Sequence, residues 1–268
     1  MTRKRDKGLS LLFILVLGLL TLILYYNLKE DQIIKEVTSD TPLEEVRVRG
    51  IICFIIDDFG YNISDVVRSF IHLDIPLTCS ILPGHPYSRR IARLAHEARH
   101  QVIVHMPMET HDHRAGEESY IITRAMTEEE IRTRVRSAFQ KLPQAEGMNN
   151  HQGSLATENR RVMQILADEL KSLGKYFIDS RTTKKTLAEE VMKAVGVPTE
   201  RRRIFLDNEN DLRYIKKQIE QLARIAKSEG VAIGIGHPRK KTLQAIRQMI
   251  PVLREQGFHF GYASAAVN

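Results

Sequence analysis

Two adjacent aspartates, Asp57 and Asp58, close the apolar segment IICFIIDDFGYN at residues 51–62. A core strand that runs into two carboxylates needs partners for them, because an unpaired buried charge is costly. Five further ionisable residues repeat the placement. His105 ends QVIVHM, His151 follows GMN, Asp179 ends KYFID, Asp207 follows RRIFL and His237 follows VAIGIG. One Asp with two His is a familiar protein ligand set for a catalytic zinc that keeps a position open for water. Mixed oxygen and nitrogen donors also accept other divalent metals, so zinc is a preference within that class. A metal would satisfy one carboxylate, and a second carboxylate nearby could act as a base toward water. A histidine on another strand could then protonate a leaving group. Any one of these residues alone reads as an ordinary cap or surface group. Their recurrence at one structural position is the signal.

The elements that must position them alternate along the chain. Short apolar runs (IICFII, PLTCSIL, QVIVHM, GMN, KYFID, RRIFL, VAIGIG and FHFGY) are separated by segments with helical spacing and punctuation. Thr127 with Glu130 forms a capping-box signature. A second helix is expected from Thr157 to Gly174, and a third ends on Gly230. The last carries Pro251, which predicts a kink or break. Repeated βα units imply a mainly parallel sheet. The spacing predicts a β/α barrel of about seven or eight strands, incomplete if GMN and FHFGY pair weakly. In such barrels the C-terminal strand ends carry the active site.

A chain of 268 residues with 43% hydrophobic and 27% charged content can bury a sizeable core. The net charge of +7 is partly local, in the first seven residues and in Arg201-Arg202-Arg203, and there is no tryptophan for base stacking. No nucleic-acid partner is expected. After a basic tail (residues 1–8), an uncharged apolar run at 9–26 is long enough to span a bilayer. No small-x-small cleavage site follows it, and Tyr25 and Tyr26 suit an interfacial belt. A signal anchor with the body outside the cytoplasm is expected; the alternative is secretion after cleavage. Residues 27–49 read as a polar stalk or short helix, and 50–268 as the catalytic domain. Cys53 and Cys79 read as free core thiols.

Taken in order, IIDDFGYN, LPGHPYS, HMPME, GMNNHQGS, FIDSRTT, RIFLDN and AIGIGHP resemble the divergent polysaccharide deacetylase family, a distant branch of the NodB-like carbohydrate deacetylases. The resemblance spans about residues 50–262. It implies a deformed β/α barrel and metal-dependent removal of N-acetyl groups from a cell-envelope glycan, at an amide rather than a peptide bond. It implies Asp57 as the base, Asp58 and His105 as metal ligands and His237 as the general acid. The parent family takes its two imidazole ligands from one His-x-x-x-His motif. Here the residue four after His105 is Glu109, so the second imidazole is assigned to His151 of the NNH motif. Asn149, Asn150, Ser154, Asp179, Ser180 and Arg181 are expected to line the pocket or orient ligands.

Rival readings differ in class. The absent histidine at position 109 allows a non-catalytic glycan- or partner-binding protein that retains the fold. A phosphoester hydrolase would need phosphate donors, for which Arg181 is the one candidate. Asp207 reads as structural. His111 and His113 of ETHDHR read as solvated, and His72, His96, His100 and His259 as surface or helix residues. His85 follows the second strand, within reach of the pocket rim. Asn62-Ile63-Ser64 is formally a glycosylation signal, but Ser64 reads better as a helix cap.

Overall fold

The computed structural model describes residues 5–39, 48–112 and 119–267. The chain divides into two units, Met1–Arg47 and Val48–Asn268. The first contains α1 (Arg5–Ser39), in which Leu12–Gln32 is long and apolar enough to cross a membrane or to act as a signal sequence. Helix thus continues through residues 27–39, within the stretch read as a polar stalk or short helix; residues 40–47 lie outside the described residues.

The second unit alternates strands and helices. They run β1 (Gly50–Phe59), α2 (Asp65–Ile71), β2 (Thr78–Ile81), α3 (Ser88–Glu97), β3 (Gln101–Met108), α4 (Glu128–Lys141), β4 (Ala145–Gln152) and α5 (Arg160–Ser172). Then follow β5 (Tyr176–Asp179), α6 (Ala188–Val195), β6 (Thr199–Arg201), β7 (Ile204–Phe205), α7 (Leu212–Glu229), β8 (Val231–Gly236), α8 (Lys240–Glu255), β9 (Phe258–Gly261) and a short 3₁₀ turn at Ala263–Ala266. The strands form one sheet in the order β6-β5-β4-β3-β2-β1-β8-β7, with β9 paired to β1. Every strand pairing is parallel. The sheet curls into an open barrel whose edges, β6 and β7, are consecutive in sequence. Arg202 and Arg203 carry the chain across the seam: Arg202 N–H donates to Asp179 O (2.9 Å) and Arg203 N–H to Ile233 O of β8 (2.8 Å).

Strand side chains alternate between faces, and here the alternation separates two cores. Ile52, Phe54 and Ile56 of β1 join the large cluster under the helices, whereas Cys53 and Ile55 pack inside the barrel with Ile103, Ile178, Ile233 and Ile235. Cys79 lies in the outer cluster, so the two free cysteines face different cores. Below the inner isoleucines is a polar floor. Gln101 Oε1 accepts from Thr78 Oγ1 (3.0 Å) and Tyr176 OH (2.9 Å), and its Nε2 donates to Glu146 (2.7 Å) and Ser264 (2.8 Å). Continuing the inner parity upward, 53-55-57, 101-103-105, 147-149-151 and 233-235-237 each end on a residue that can do chemistry.

Several local expectations are corrected. His151 lies within β4 rather than after it. Helix α5 is capped by Asn159, whose side chain accepts from Val162 N (3.0 Å), because Thr157 Oγ1 is turned back onto Gly153 O (2.8 Å). Helix α8 runs unbroken through Pro251, which is exposed. Burial of Leu243, Ile246, Met249 and Leu253 along the opposite face outweighs the proline's cost of about 3 kcal/mol. His100 is buried, its Nε2 2.8 Å from Ile71 O.

Glu169 of α5 is buried between two arginines of α4, accepting from Arg132 Nη1 (3.0 Å) and Arg136 Nε (2.7 Å). Burial raises its pKa, but the two guanidiniums outweigh this and hold it below the usual carboxylate range. A depressed folded pKa contributes stability above the unfolded value, lost as pH falls through the folded one. Glu169→Gln is expected to cost about 2 kcal/mol at pH 7. Thermal melts should show a drop of about 4–8 °C that shrinks below about pH 4; an equal gap at pH 7 and pH 3 would remove the ion pair from the account.

Candidate metal centre

The upper ends of β1, β3, β4 and β8 bring the polar residues together. Asp57 follows the inner parity of β1 and is buried. Asp58 should then point to the opposite face, yet it does not. Its φ is +59°, a left-handed conformation that Asp tolerates, and the β1–β2 register slips between Ile56 and Phe59. This irregularity, followed by Gly60 at φ +136°, turns both carboxylates to one rim.

Three ligand atoms form a near-equilateral triangle. His105 Nε2 lies 3.2 Å from Asp58 Oδ1, His151 Nδ1 lies 3.1 Å from the same oxygen, and the two ring nitrogens are 3.1 Å apart. Donors about 2.0–2.2 Å from one metal lie about 2.8–3.6 Å from each other, between octahedral and tetrahedral angles. Asp58 Oδ1 is buried and, among the described residues, has no hydrogen bond of normal geometry. The residues therefore fit a divalent cation.

Their supports point the same way. Asn149 Oδ1 lies 2.7 Å from His105 Nδ1 and accepts from Ser80 Oγ (2.7 Å), while its Nδ2 donates to Asp57 Oδ1 (2.8 Å). The amide oxygen requires a proton on Nδ1, which leaves the His105 Nε2 lone pair facing the triangle. His151 Nε2 faces the Gln152 side-chain amide at 3.2 Å. Burial favours neutral His105, but Asp57 and Asp58 outweigh it and push its pKa up to about 9. Burial would raise Asp58, but the two imidazoles hold it far below the usual carboxylate range. Proton and metal thus compete for one negative pocket.

His237 stands across from this group, its Nε2 3.8 Å from Asp58 Oδ2. Asp207, taken from sequence as structural, proves to orient it. Asp207 Oδ1 lies 2.8 Å from His237 Nδ1, and Oδ2 accepts from His237 N (2.9 Å) and Thr242 Oγ1 (2.7 Å). Phe205 stacks on the imidazole with ring centroids 6.0 Å apart. Burial lowers the His237 pKa, but Asp207 outweighs this and the net shift is upward.

The remaining expected residues build the walls. Asn150 Oδ1 accepts from Ser180 N (2.9 Å), and its Nδ2 donates to Gln152 O (2.7 Å), clipping β4 to the end of β5. Asp179 accepts from Arg181 N (2.7 Å) and Thr186 Oγ1 (3.0 Å), and burial raises its pKa. Ser154 Oγ lies 2.8 Å from Thr110 Oγ1 and accepts from His111 N (3.2 Å), tying two rim loops together. None of Asn150, Ser154, Asp179, Ser180 and Arg181 belongs to the ligand triangle. Glu109 is diverted, accepting from Arg124 N at 2.8 Å. His111 is exposed beside Glu158, 3.4 Å away, and His113 lies outside the described residues. Ser64 caps α2 by accepting from Val67 N (3.4 Å). Sequence reasoning also missed Arg202, whose Nε donates to Ser180 O (2.7 Å) and whose guanidinium lies 3.8 Å from the centroid of Phe205. Burial lowers its pKa to about 10, against the opposing charges of Asp179 and Asp57. The basic run RRR was the available signal, but only the barrel seam shows which arginine turns inward.

Known proteins share this arrangement of elements. The sequence model for divergent polysaccharide deacetylases matches residues 54–267. Uncharacterized protein YibQ of Escherichia coli K12 is 32% identical over 75% of this chain and 62% of its own length, so this chain spans less than two thirds of that relative. An uncharacterized protein of Haemophilus influenzae is 31% identical over 73% of this chain and 69% of its own. In solved structures, an uncharacterized protein of Agrobacterium tumefaciens C58 superimposes with a TM-score of 0.76 at 18% identity, covering 81% of this chain and 89% of that one. A CE4 family pseudoenzyme from Bacillus anthracis does so at 0.51 and 13% identity, over 81% of this chain and 64% of that one. At these identities the structural matches show the fold. With 54–267 matched as one continuous span, the chain belongs to the divergent polysaccharide deacetylase family.

Proposed function

We propose that the chain is a metal-dependent carbohydrate deacetylase that hydrolyses N-acetyl groups on a cell-envelope polysaccharide. The observation that carries the reading is the triangle of Asp58, His105 and His151 with Asp57 and His237 on either side. A divalent ion held by that triangle, zinc by preference, would polarise the acetamide carbonyl and lower the pKa of a water molecule. Asp57, held by Asn149, takes the proton from the attacking water. His237, with Nδ1 engaged by Asp207, presents Nε2 to the departing amine and protonates it as the C–N bond breaks. Ser80 and Asn149 keep base and ligand in register. The six residues Asn149, Asn150, Ser154, Asp179, Ser180 and Arg181 shape or support the pocket. The basic tail and apolar α1 support a single-pass anchor with residues 50–268 outside the cytoplasm.

The test is acetate release from N-acetylated cell-wall and chitin-type glycans by metal-loaded protein, with a chelated sample beside it. Release that stops on chelation and returns with metal is expected. Stoichiometric glycan binding with no acetate from any of them would instead favour the non-catalytic glycan-binding reading.

Asp207 supplies a prediction of sign. A raised His237 pKa keeps the ring protonated, and therefore an acid, to higher pH. Asp207→Asn removes the charge that raises it, so the alkaline limb of the kcat/KM profile should move to lower pH by about one unit. Activity at pH 8.5 should fall about ten-fold more than at pH 6. A uniform loss across pH would mean that Asp207 acts only on structure.

A further inference from the structure

A cavity of about 230 Å³ at the ligand triangle is lined by Asp58 and His237 and also by Tyr61, Asn62 and Arg239. Tyr61 is 47% exposed, and its ring centroid lies 4.0 Å from that of His85, which holds an aromatic face at the site. Such a face packs against the apolar C–H face of a pyranose. A bare aromatic rim would accept any sugar.

Arg239 adds a charge requirement. Its Nη1 donates to Asp207 O (2.7 Å), which holds the guanidinium in place, and Asp207 Oδ2 is 3.9 Å away. That carboxylate already serves His237 and Thr242, so it accepts nothing further from Arg239 at hydrogen-bond distance. Lys240 and Lys241 follow directly, and the first turn of α8 has no acidic residue. A solvated basic face would account for the lysines. It does not account for an anchored guanidinium that lines one cavity with Asp58 and His237.

We propose that the part of this cavity lined by Tyr61 and Arg239 is a subsite for a carboxylate-bearing sugar adjoining the N-acetylated sugar, which itself lies against Asp58 and His237, and that the substrate is therefore an acidic glycan. The inference rests on the deacetylase reading. The sugar ring lies on Tyr61, and the edge of Arg239 that has no partner among the described residues takes the carboxylate through two parallel N–H donors.

Three tetrasaccharides test it on the metal-loaded full chain: an N-acetylglucosamine tetramer, the same tetramer with a lactyl carboxylate on alternate sugars, and the methyl ester of the latter. The ester keeps the bulk and removes the charge. For the wild type, kcat/KM on the carboxylate form should exceed that on the ester by about ten-fold, the margin shrinking with added salt. Arg239→Gln should reduce the ratio to below about three, with Arg239→Lys between. Equal rates on acid and ester by the wild type would overturn the proposal without any variant, and so would a ratio that survives Arg239→Gln in folded protein. Binding constants for the same three glycans, measured by calorimetry, separate the two readings. If none releases acetate, the deacetylase reading fails, while an acid-over-ester affinity ratio lost in Arg239→Gln still upholds the subsite and an absent ratio sinks it.

Discussion

Asp58→Asn is expected to abolish metal binding and with it nearly all turnover. Purified variant protein, analysed for metal after equilibration with zinc, should hold less than about a tenth of an equivalent against about one for the wild type. The physical reason lies in the charge of the triangle. His105 and His151 bring two neutral nitrogens, and Asp58 brings the anionic oxygen both of them approach, at 3.2 and 3.1 Å. An amide keeps the shape but removes the charge that draws a cation there. The loss in kcat/KM should be at least about a thousand-fold, or about 4 kcal/mol of transition-state stabilisation. A variant that keeps both stoichiometric metal and near-normal acetate release would remove Asp58 from the ligand set.

The second large effect separates Asp57 from Asp58. Asp57→Asn should retain full metal content while acetate release falls by about 10²–10⁴, the range for removing a general base. Asp57 is buried and hydrogen-bonded to Asn149 Nδ2, and an Asn at this position can still offer its carbonyl oxygen to that donor, so folding should survive. Loss of metal along with activity would instead make Asp57 a ligand, since its Oδ2 is 3.6 Å from His105 Nε2. The two variants together assign base and ligand, because each predicts a different pair of readings for metal and rate.

Much of this layout is legible in the chain itself. Apolar runs separated by capped amphipathic segments specify βα units, and right-handed parallel crossovers place every strand's C-terminal end on one face. Residues such as His105 and His237 could be placed there because they end apolar runs whose parity is visible. Thr127 and Glu130 cap α4 as local chemistry dictates. Where sequence reasoning failed, the deciding contact was distant. Asp207 became an orienting group only because β7 pairs with β8 and sets it against His237. Asn159 rather than Thr157 caps α5 because Thr157 is occupied by the loop leaving β4. Arg239 sits at the start of a helix like many basic residues, and only the cavity beside Asp58 distinguishes it.

By itself the sequence determined the alternating architecture, the apolar N-terminal helix and the set of rim residues from which a site could be built. These rest on periodicity and capping, which are local in the chain. Tertiary structure alone decided how that set divides. A left-handed φ at Asp58 brings adjacent carboxylates to one rim, Arg124 engages the Glu109 carboxylate, and His151 reaches His105 across the β3–β4 pairing. Each depends on a partner far away in sequence, and periodicity carries no information about which distant side chain that will be.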